Sequence, residues 1–335
     1  QLQGTTSKEE VIQRLREHEQ GLADDDWLLG RGWDQNDWPV KEFPDRHDLD
    51  AEFPDRPVWL RRIDGHAGWA NSAALALADQ ELGGDWQPEG GFIYRDENGQ
   101  ASGVLVDGAM GLVEQAVPEI SVELLAASLD LALQQMLSLG LTGVHDMGIG
   151  RDVIELYRQQ IAAGRFPTRV YAFTNGTGET LDWLCENGTL NDDSGRLQLR
   201  AVKLYIDGAM GSRGAALLEE YSDDTGNTGL LFMPQEDLEA QIDKALACGF
   251  QVGVHAIGDK GNRVVLDALQ AVMPRYPENP GRHRVEHAQT LTESDVPRFA
   301  ELAVIAAMQP THATSDMYWV EAVSYTHLTL PTITE

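Results

Sequence analysis

EDLEAQIDKALACGFQVGVHAIGD, residues 236–259, is the stretch that decides the fold. Its first half sets Leu238, Ile242 and Leu246 four residues apart among charged positions, the rhythm of an amphipathic helix. Gly249 closes that rhythm. The second half, QVGVHAIGD, is a short apolar run with the length of a strand. The same order recurs on both sides. Upstream stand VELLAASLDLALQQMLSLG then LTGVHDMG, VIELYRQQIAAG then TRVYAF, and LDWLCENG then LRAVKLYIDG. Downstream stand NRVVLDALQAVMPRY then HRVEHAQ, and ESDVPRFAEL then AVIAAMQPTHA. Six helix-then-strand units in a row argue for a parallel sheet. No GxGxxG follows a strand and no P-loop is present, which favours a (β/α) barrel over a nucleotide-binding sheet.

The first third reads differently. TSKEEVIQRLREHEQ has a Thr/Ser cap and helical periodicity, DWLLGRGW and PVWLRRI read as strands, and ANSAALALADQEL reads as a helix. GGFIYRDENGQASGVLVDGAM forms a hairpin pattern about Asn98-Gly99, an inserted small β element near 90–107.

Composition narrows the function. The 335 residues carry 25 Lys+Arg against 54 Asp+Glu, a net charge of -29. A surface that acidic repels phosphate backbones and anionic membranes, so the expected partner is a small molecule rather than nucleic acid or a membrane. A homo-oligomer is left open. The two cysteines, Cys185 and Cys248, lie far apart outside any CxxC spacing, and the expectation is neither a disulfide framework nor a zinc knuckle. No apolar run reaches the length of a membrane span and no signal peptide is visible, so a cytoplasmic location is the default. The start, QLQGTTSKEE, reads as a cut inside a longer protein, which leaves a secretory signal upstream open.

Chemistry in a (β/α) barrel sits at the C-terminal ends of the strands. Those ends deliver His145 and Asp146, Lys203 and Asp207, His255 and Asp259, His287 and Gln289, then Gln309 and His312. Histidine is the commonest metal ligand. Lys203 is the lone charge in AVKLYI. A buried lysine without a partner sees its pKa fall by roughly 3–5 units. At about 1.4 kcal/mol per unit, that amounts to about 4–7 kcal/mol. On the residues alone this is a metal or acid–base site.

AVKLYIDGAMGSRGAAL, VGVHAIGD, RVEHAQ and RGWDQNDW…PVWLRRIDGHAGWANSAAL together resemble the amidohydrolase superfamily. Within it they are similar to the amidohydrolase-3 branch, the YtcJ-like relatives of N-substituted formamide deformylase, as far as about Trp319. The resemblance implies an α/β metal-dependent hydrolase with a (β/α)8 TIM barrel. It implies one or two divalent metals, Zn first, held by Lys203, His255 and His287, with Lys203 carboxylated and bridging. Burial favours the neutral amine that reacts with CO2, and the resulting carbamate is an anion with two oxygens for the metals. The implied activity is hydrolysis of a carbon–nitrogen, non-peptide amide bond by metal-activated hydroxide. The alternatives are a deaminase or isomerase on the same scaffold, or an inactive barrel that serves as a binding module.

Other residues are assigned around that centre. His66, in DGHAGWANS, and Asp146 are assigned to catalysis, His66 binding substrate or polarising a carbonyl. Trp33 and Asp34 in GWDQNDW, Arg213 in GSRG, and His312 are assigned to substrate contacts. Two signature pieces of the family are missing: no HxH pair occurs, and no matching aspartate segment follows MQPTHA. The expectation is therefore an incomplete barrel carrying strands 2 to 7 over residues 1–323, cut at both ends. SYTHLTLPTITE reads as a non-native tail, with 324–335 set outside the fold.

Overall fold

The structure, a computed structural model, describes residues 1–279, 281–317 and 320–324. The described residues divide into two units: one from 1–118, 207–232 and 314–324, the other from 119–206 and 233–313. The expected tail therefore lies outside the described residues except for Ser324.

The first unit is built on a five-stranded sheet of β1 (Leu28–Trp33), β2 (Val58–Arg62), β3 (Ala67–Ala70), β4 (Gly91–Arg95) and β5 (Ala101–Asp107), in the order β1-β2-β3-β5-β4. β1 and β2 run parallel and the remaining pairs antiparallel. The hairpin expected around Asn98-Gly99 is the β4–β5 pair, with Gly99 at φ 74°, the left-handed turn conformation that glycine adopts without a Cβ penalty. A helix over Lys8–Glu19 covers one face, begun by Ser7, whose hydroxyl accepts from the backbone N–H of Glu10. Its Val11 and Leu15 join Trp33, Trp38 and Trp69 in the core. Asn71, fully buried, ties the layers: its oxygen accepts from Val58 N, and its amide donates to the carbonyls of Phe53 and Arg56.

The helix expected over ANSAALALADQEL forms only at Ser72–Leu75. Asn71 starts it correctly, but only Ala74 in that turn is buried and Leu77 is exposed. Helices of this kind are held by packing an apolar face, and this segment has too little of one to continue.

The second unit carries the series read from the sequence. Its strands are β6 (Gly143–Ile149), β7 (Arg169–Asn175), β8 (Leu190–Asn191), β9 (Leu197–Tyr205), β10 (Gln251–Ala256), β11 (Arg284–His287) and β12 (Ile305–Ala307). The order is β12-β11-β10-β9-β7-β6, all parallel, with short β8 antiparallel on β9. Each long strand follows a helix, among them Val122–Ser138, Gln235–Ala247 and Asp259–Val272. The last buries Val265, Leu266, Leu269 and Val272 at helical spacing. β10 is buried along its whole length, as expected for a parallel strand covered on both faces. The α/β class holds. Among the described residues the sheet ends at β6 and β12 and does not close into an eight-stranded barrel.

One expectation is overturned. Cys185, in the helix Glu179–Asn187, and Cys248, at the end of Gln235–Ala247, form a disulfide, with Cα atoms 5.3 Å apart and a sequence separation of 63. Sequence distance hid the pair because the two helices that carry them come together only once the sheet has formed. No helix among the described residues is long and apolar enough to cross a membrane.

Candidate functional site

Two clusters of chemically competent side chains emerge, one in each unit. In the second unit, Lys203 on β9, His255 on β10 and His287 on β11 stand on adjacent parallel strands. Lys203 is 3% exposed. Its Nζ lies 3.5 Å from the centroid of the Tyr205 ring and donates to the Leu204 carbonyl at 3.1 Å. Tyr205 is the register partner of His255, with ring centroids 5.6 Å apart. The His255 and His287 rings meet edge to face at 4.6 Å. His287 Nδ1 is 2.7 Å from Gln309 Oε1 and 3.3 Å from His312 Nε2. The structure thus brings together the lysine and the histidines, and adds Tyr205 and Gln309.

His287 reaches this cluster by a backbone distortion. Side chains alternate along a strand, and register partners share a face. His255 pairs with Glu286, and Glu286 shares its face with Arg284, to which it is ion-paired. Regular alternation would turn His287 the other way. Its φ of 74°, followed by 44° at Ala288, rotates the ring back towards His255. A non-glycine residue held there costs about 1–3 kcal/mol, and such strain collects at functional sites.

His145 and Asp146 do not join this cluster. β6 continues to Ile149, so both lie inside the strand and not at its end. His145 packs on Tyr171 and Phe173, and its Nδ1 is 2.6 Å from an Arg284 nitrogen. Burial and the Arg284 charge hold its pKa below the usual histidine value. Asp146 accepts from the hydroxyl of Tyr157, on the helix Arg151–Ala162, at 2.5 Å. It faces the helical layer, since its neighbour His145 faces the other way. The catalytic assignment for Asp146 does not match this placement.

In the first unit, His66 follows β2. Its Nδ1 lies 2.6 Å from Asp107 Oδ1, and its carbonyl accepts from Asp107 N at 3.0 Å. Burial works against the imidazolium, but the hydrogen bond and charge of Asp107, with Asp64 and Asp207, raise the His66 pKa overall. The Asp107 side chain is 2% exposed, and burial raises its pKa against the pull of His66. Next to it, buried Arg62 bridges Asp34 and Asp64, at 2.5 Å to Asp64, and its Nε donates to Gln35 Oε1 at 2.8 Å. Burial pushes Asp34 up and Arg62 pulls against it.

The remaining substrate assignments fare unevenly. Trp33 is fully buried, donates to the Leu60 carbonyl at 2.8 Å and packs with Trp38 and Trp69 in the core. Asp34 is held by Arg62 and caps the turn Gln35–Asp37. The Arg213 guanidinium pairs with Asp223 at 2.6 Å. His312 sits in the first turn of Pro310–Asp316, against His287.

Among the described residues, no three or more His, Cys, Asp or Glu side chains converge into a complete metal shell. The donors present fit part of one. Two imidazoles stand edge to face, and a buried lysine on the neighbouring strand gains two oxygens if carboxylated.

Strand-borne lysine and histidines on an all-parallel βα series define an α/β class shared with metal-dependent hydrolases of solved structure. The chain belongs to the Amidohydrolase family, whose profile matches residues 1–330. It is 37% identical over 325 residues to YtcJ of Bacillus subtilis (strain 168), covering 95% of this chain and 60% of that protein. It is 27% identical over 321 residues to N-substituted formamide deformylase of Arthrobacter pascens, covering 90% of this chain and 57% of that one. The crystal structure of an uncharacterized metal-dependent hydrolase from Pyrococcus horikoshii OT3 superposes with a TM-score of 0.68 at 30% identity, covering 96% of this chain and 60% of that one. The chain thus spans 60% or less of the length of these relatives.

Proposed function

We propose that the protein to which this chain belongs is a metal-dependent hydrolase of carbon–nitrogen bonds in small, non-peptide amides. The observation that carries the reading is the convergence of Lys203, His255 and His287 on three adjacent strands, with His287 bent into place at φ 74°. Family membership and a relative named for deformylating N-substituted formamides support the same bond type.

His255 and His287 would hold a divalent ion, zinc by the chemistry of imidazole donors, and Lys203 would contribute carbamate oxygens. When bound, such an ion activates water near neutral pH and polarises a carbonyl. The residues of the chain prepare that centre. Tyr205 packs beneath Lys203 and beside His255 and fixes the spacing of the two strands. Gln309 and His312 hold the His287 ring through Nδ1.

The test is elemental analysis of the full-length protein together with hydrolysis of an N-substituted formamide. The expected result is one to two zinc per chain, and metal and activity lost together in His255→Ala. Full activity in that variant, or in metal-free protein, overturns the reading.

A further inference from the structure

The second unit holds another polar cluster, in the N-terminal half of its parallel sheet, at the end away from His255 and His287. Gln251 opens β10, Arg284 opens β11, and His145 and Tyr171 stand third in β6 and β7. With Arg200 on β9 and Arg282 just before β11, they line a cavity of about 280 Å3. Its whole wall belongs to the second unit.

The charge on that wall runs against the chain as a whole. Carboxylates outnumber cations, 54 Asp+Glu to 25 Lys+Arg, yet no Asp or Glu lines this cavity among the described residues. Arg284 is compensated, with Nε and Nη2 each 2.7 Å from a Glu286 oxygen. Its Nη1 donates to His145 Nδ1 at 2.6 Å, and an imidazole that accepts there adds no charge. Neither Arg200 nor Arg282 has an ion-pair partner among the described residues. Three guanidiniums less one carboxylate leave two positive charges on one small cavity. Their reach is felt at Tyr171: burial raises its hydroxyl pKa, and the charges of Arg200, Arg284 and Arg282 pull the other way.

The placement of Arg282 is built. Gln251, 9% exposed, accepts from the Tyr171 hydroxyl at 2.6 Å and donates from Nε2 to the Arg282 carbonyl. Arg282 has φ 61°, a left-handed conformation that a non-glycine residue enters at a cost. One strand start thus fixes the backbone from which the arginine reaches the cavity. Like charges gathered in this way repel one another, and that cost is offset when an anion lies between them. The guanidinium fork matches the paired oxygens of carboxylate and phosphate. The volume sets the size, since it lies just below the roughly 300–1,000 Å3 of pockets that enclose drug-sized molecules.

We propose that this cavity binds a small, doubly charged oxyanion, a phosphate or a dicarboxylate, gripped by Arg200 and Arg282 beside the Arg284–Glu286 pair. Its charge matches the two uncompensated guanidiniums. Bound there, it links the strand β9 to the segment that enters β11 and stabilises the folded sheet by mass action. The site needs neither a metal nor the hydrolase reading.

The experiment is titration calorimetry on metal-free, full-length protein with inorganic phosphate, succinate and chloride at constant ionic strength. Phosphate or succinate should bind one per chain with Kd on the order of 1 mM or tighter, and chloride should not. Tighter phosphate identifies a phosphorylated ligand, and tighter succinate a dicarboxylate. Arg200→Gln and Arg282→Gln should each weaken binding about 10-fold or more, the loss of a charge-assisted bond. The bound anion should raise the thermal midpoint of wild type and leave that of the double variant unchanged. A wild type that binds neither anion more tightly than about 10 mM overturns the proposal, and this arm needs no variant to fold. Unchanged affinity in Arg282→Gln, a substitution at an exposed position, also overturns it. So does an equal rise of the midpoint in wild type and double variant, which is the general stabilisation that phosphate gives by exclusion from protein surfaces. Turnover is not read, so a failure here leaves the hydrolase reading where it stands.

Discussion

Replacing Cys185 or Cys248 with serine opens the bond that ties the helix Glu179–Asn187 to the end of Gln235–Ala247. Both residues are half-buried, so the packing lost with one sulfur is small. The larger effect is on the unfolded chain. The bond closes a loop of 63 residues. In the chain-entropy model such a loop restricts the unfolded ensemble by about 4 kcal/mol at 25 °C. That is a large share of the roughly 5–15 kcal/mol by which domains are stable. The assay is urea denaturation of oxidised wild type, reduced wild type and Cys185→Ser, followed by far-UV circular dichroism. Reduced protein and variant should lose about 2–4 kcal/mol and agree with each other, since engineered and native disulfides often deliver less than the model gives. Two free thiols per denatured, never-reduced chain would refute the pairing. An unchanged midpoint with the bond intact in wild type would refute the entropic argument.

In the full-length protein, on the proposed hydrolase reading, Lys203→Arg and Lys203→Ala should each lose most activity, with only the alanine variant partly rescued by acetate or propionate, since guanidinium forms no carbamate; near-native turnover of Lys203→Arg sinks the carbamate. His287→Ala should lower metal content and activity together, measured by elemental analysis and turnover, while relieving backbone strain at φ 74° only in part, because alanine still carries a Cβ. Arg62→Met leaves half-buried Asp34 and Asp64 without their cation and should cost about 3 kcal/mol in thermal or urea unfolding; a loss below 1 kcal/mol would show the network to be a surface-like pair, worth ~1 kcal/mol or less. His283 is buried, its Nδ1 accepts from Val252 N, and burial pushes its pKa down to about 4. The unfolded chain takes up that proton first, so stability should fall as pH drops from about 6.5 towards 4, by about 3 kcal/mol from this group; a His283→Asn protein with the same acid slope would contradict the assignment.

The sequence by itself determined the parallel βα series and the strand positions of Lys203, His255 and His287. Both come from local periodicity, because a helix shows its apolar face every three to four residues and a short apolar run between glycines has room only to be a strand. The β4–β5 hairpin was legible for the same reason, since Asn98-Gly99 dictates its turn. What the tertiary structure alone decided depends on residues far apart in the chain or on departures from regular geometry. His145 and Asp146 looked like strand-end residues because nothing local says that β6 runs on to Ile149. Trp33 looked like a pocket wall, and only the assembled layers enclose it with Trp38 and Trp69. The turn of His287 towards His255 depends on one backbone angle that no residue pattern encodes. Asp107 lies 41 residues from His66 and Cys248 lies 63 from Cys185, and neither pair has a local signal. Such contacts are specified by how whole elements pack, and a carboxylate finds its imidazole only after the sheet between them has set its register.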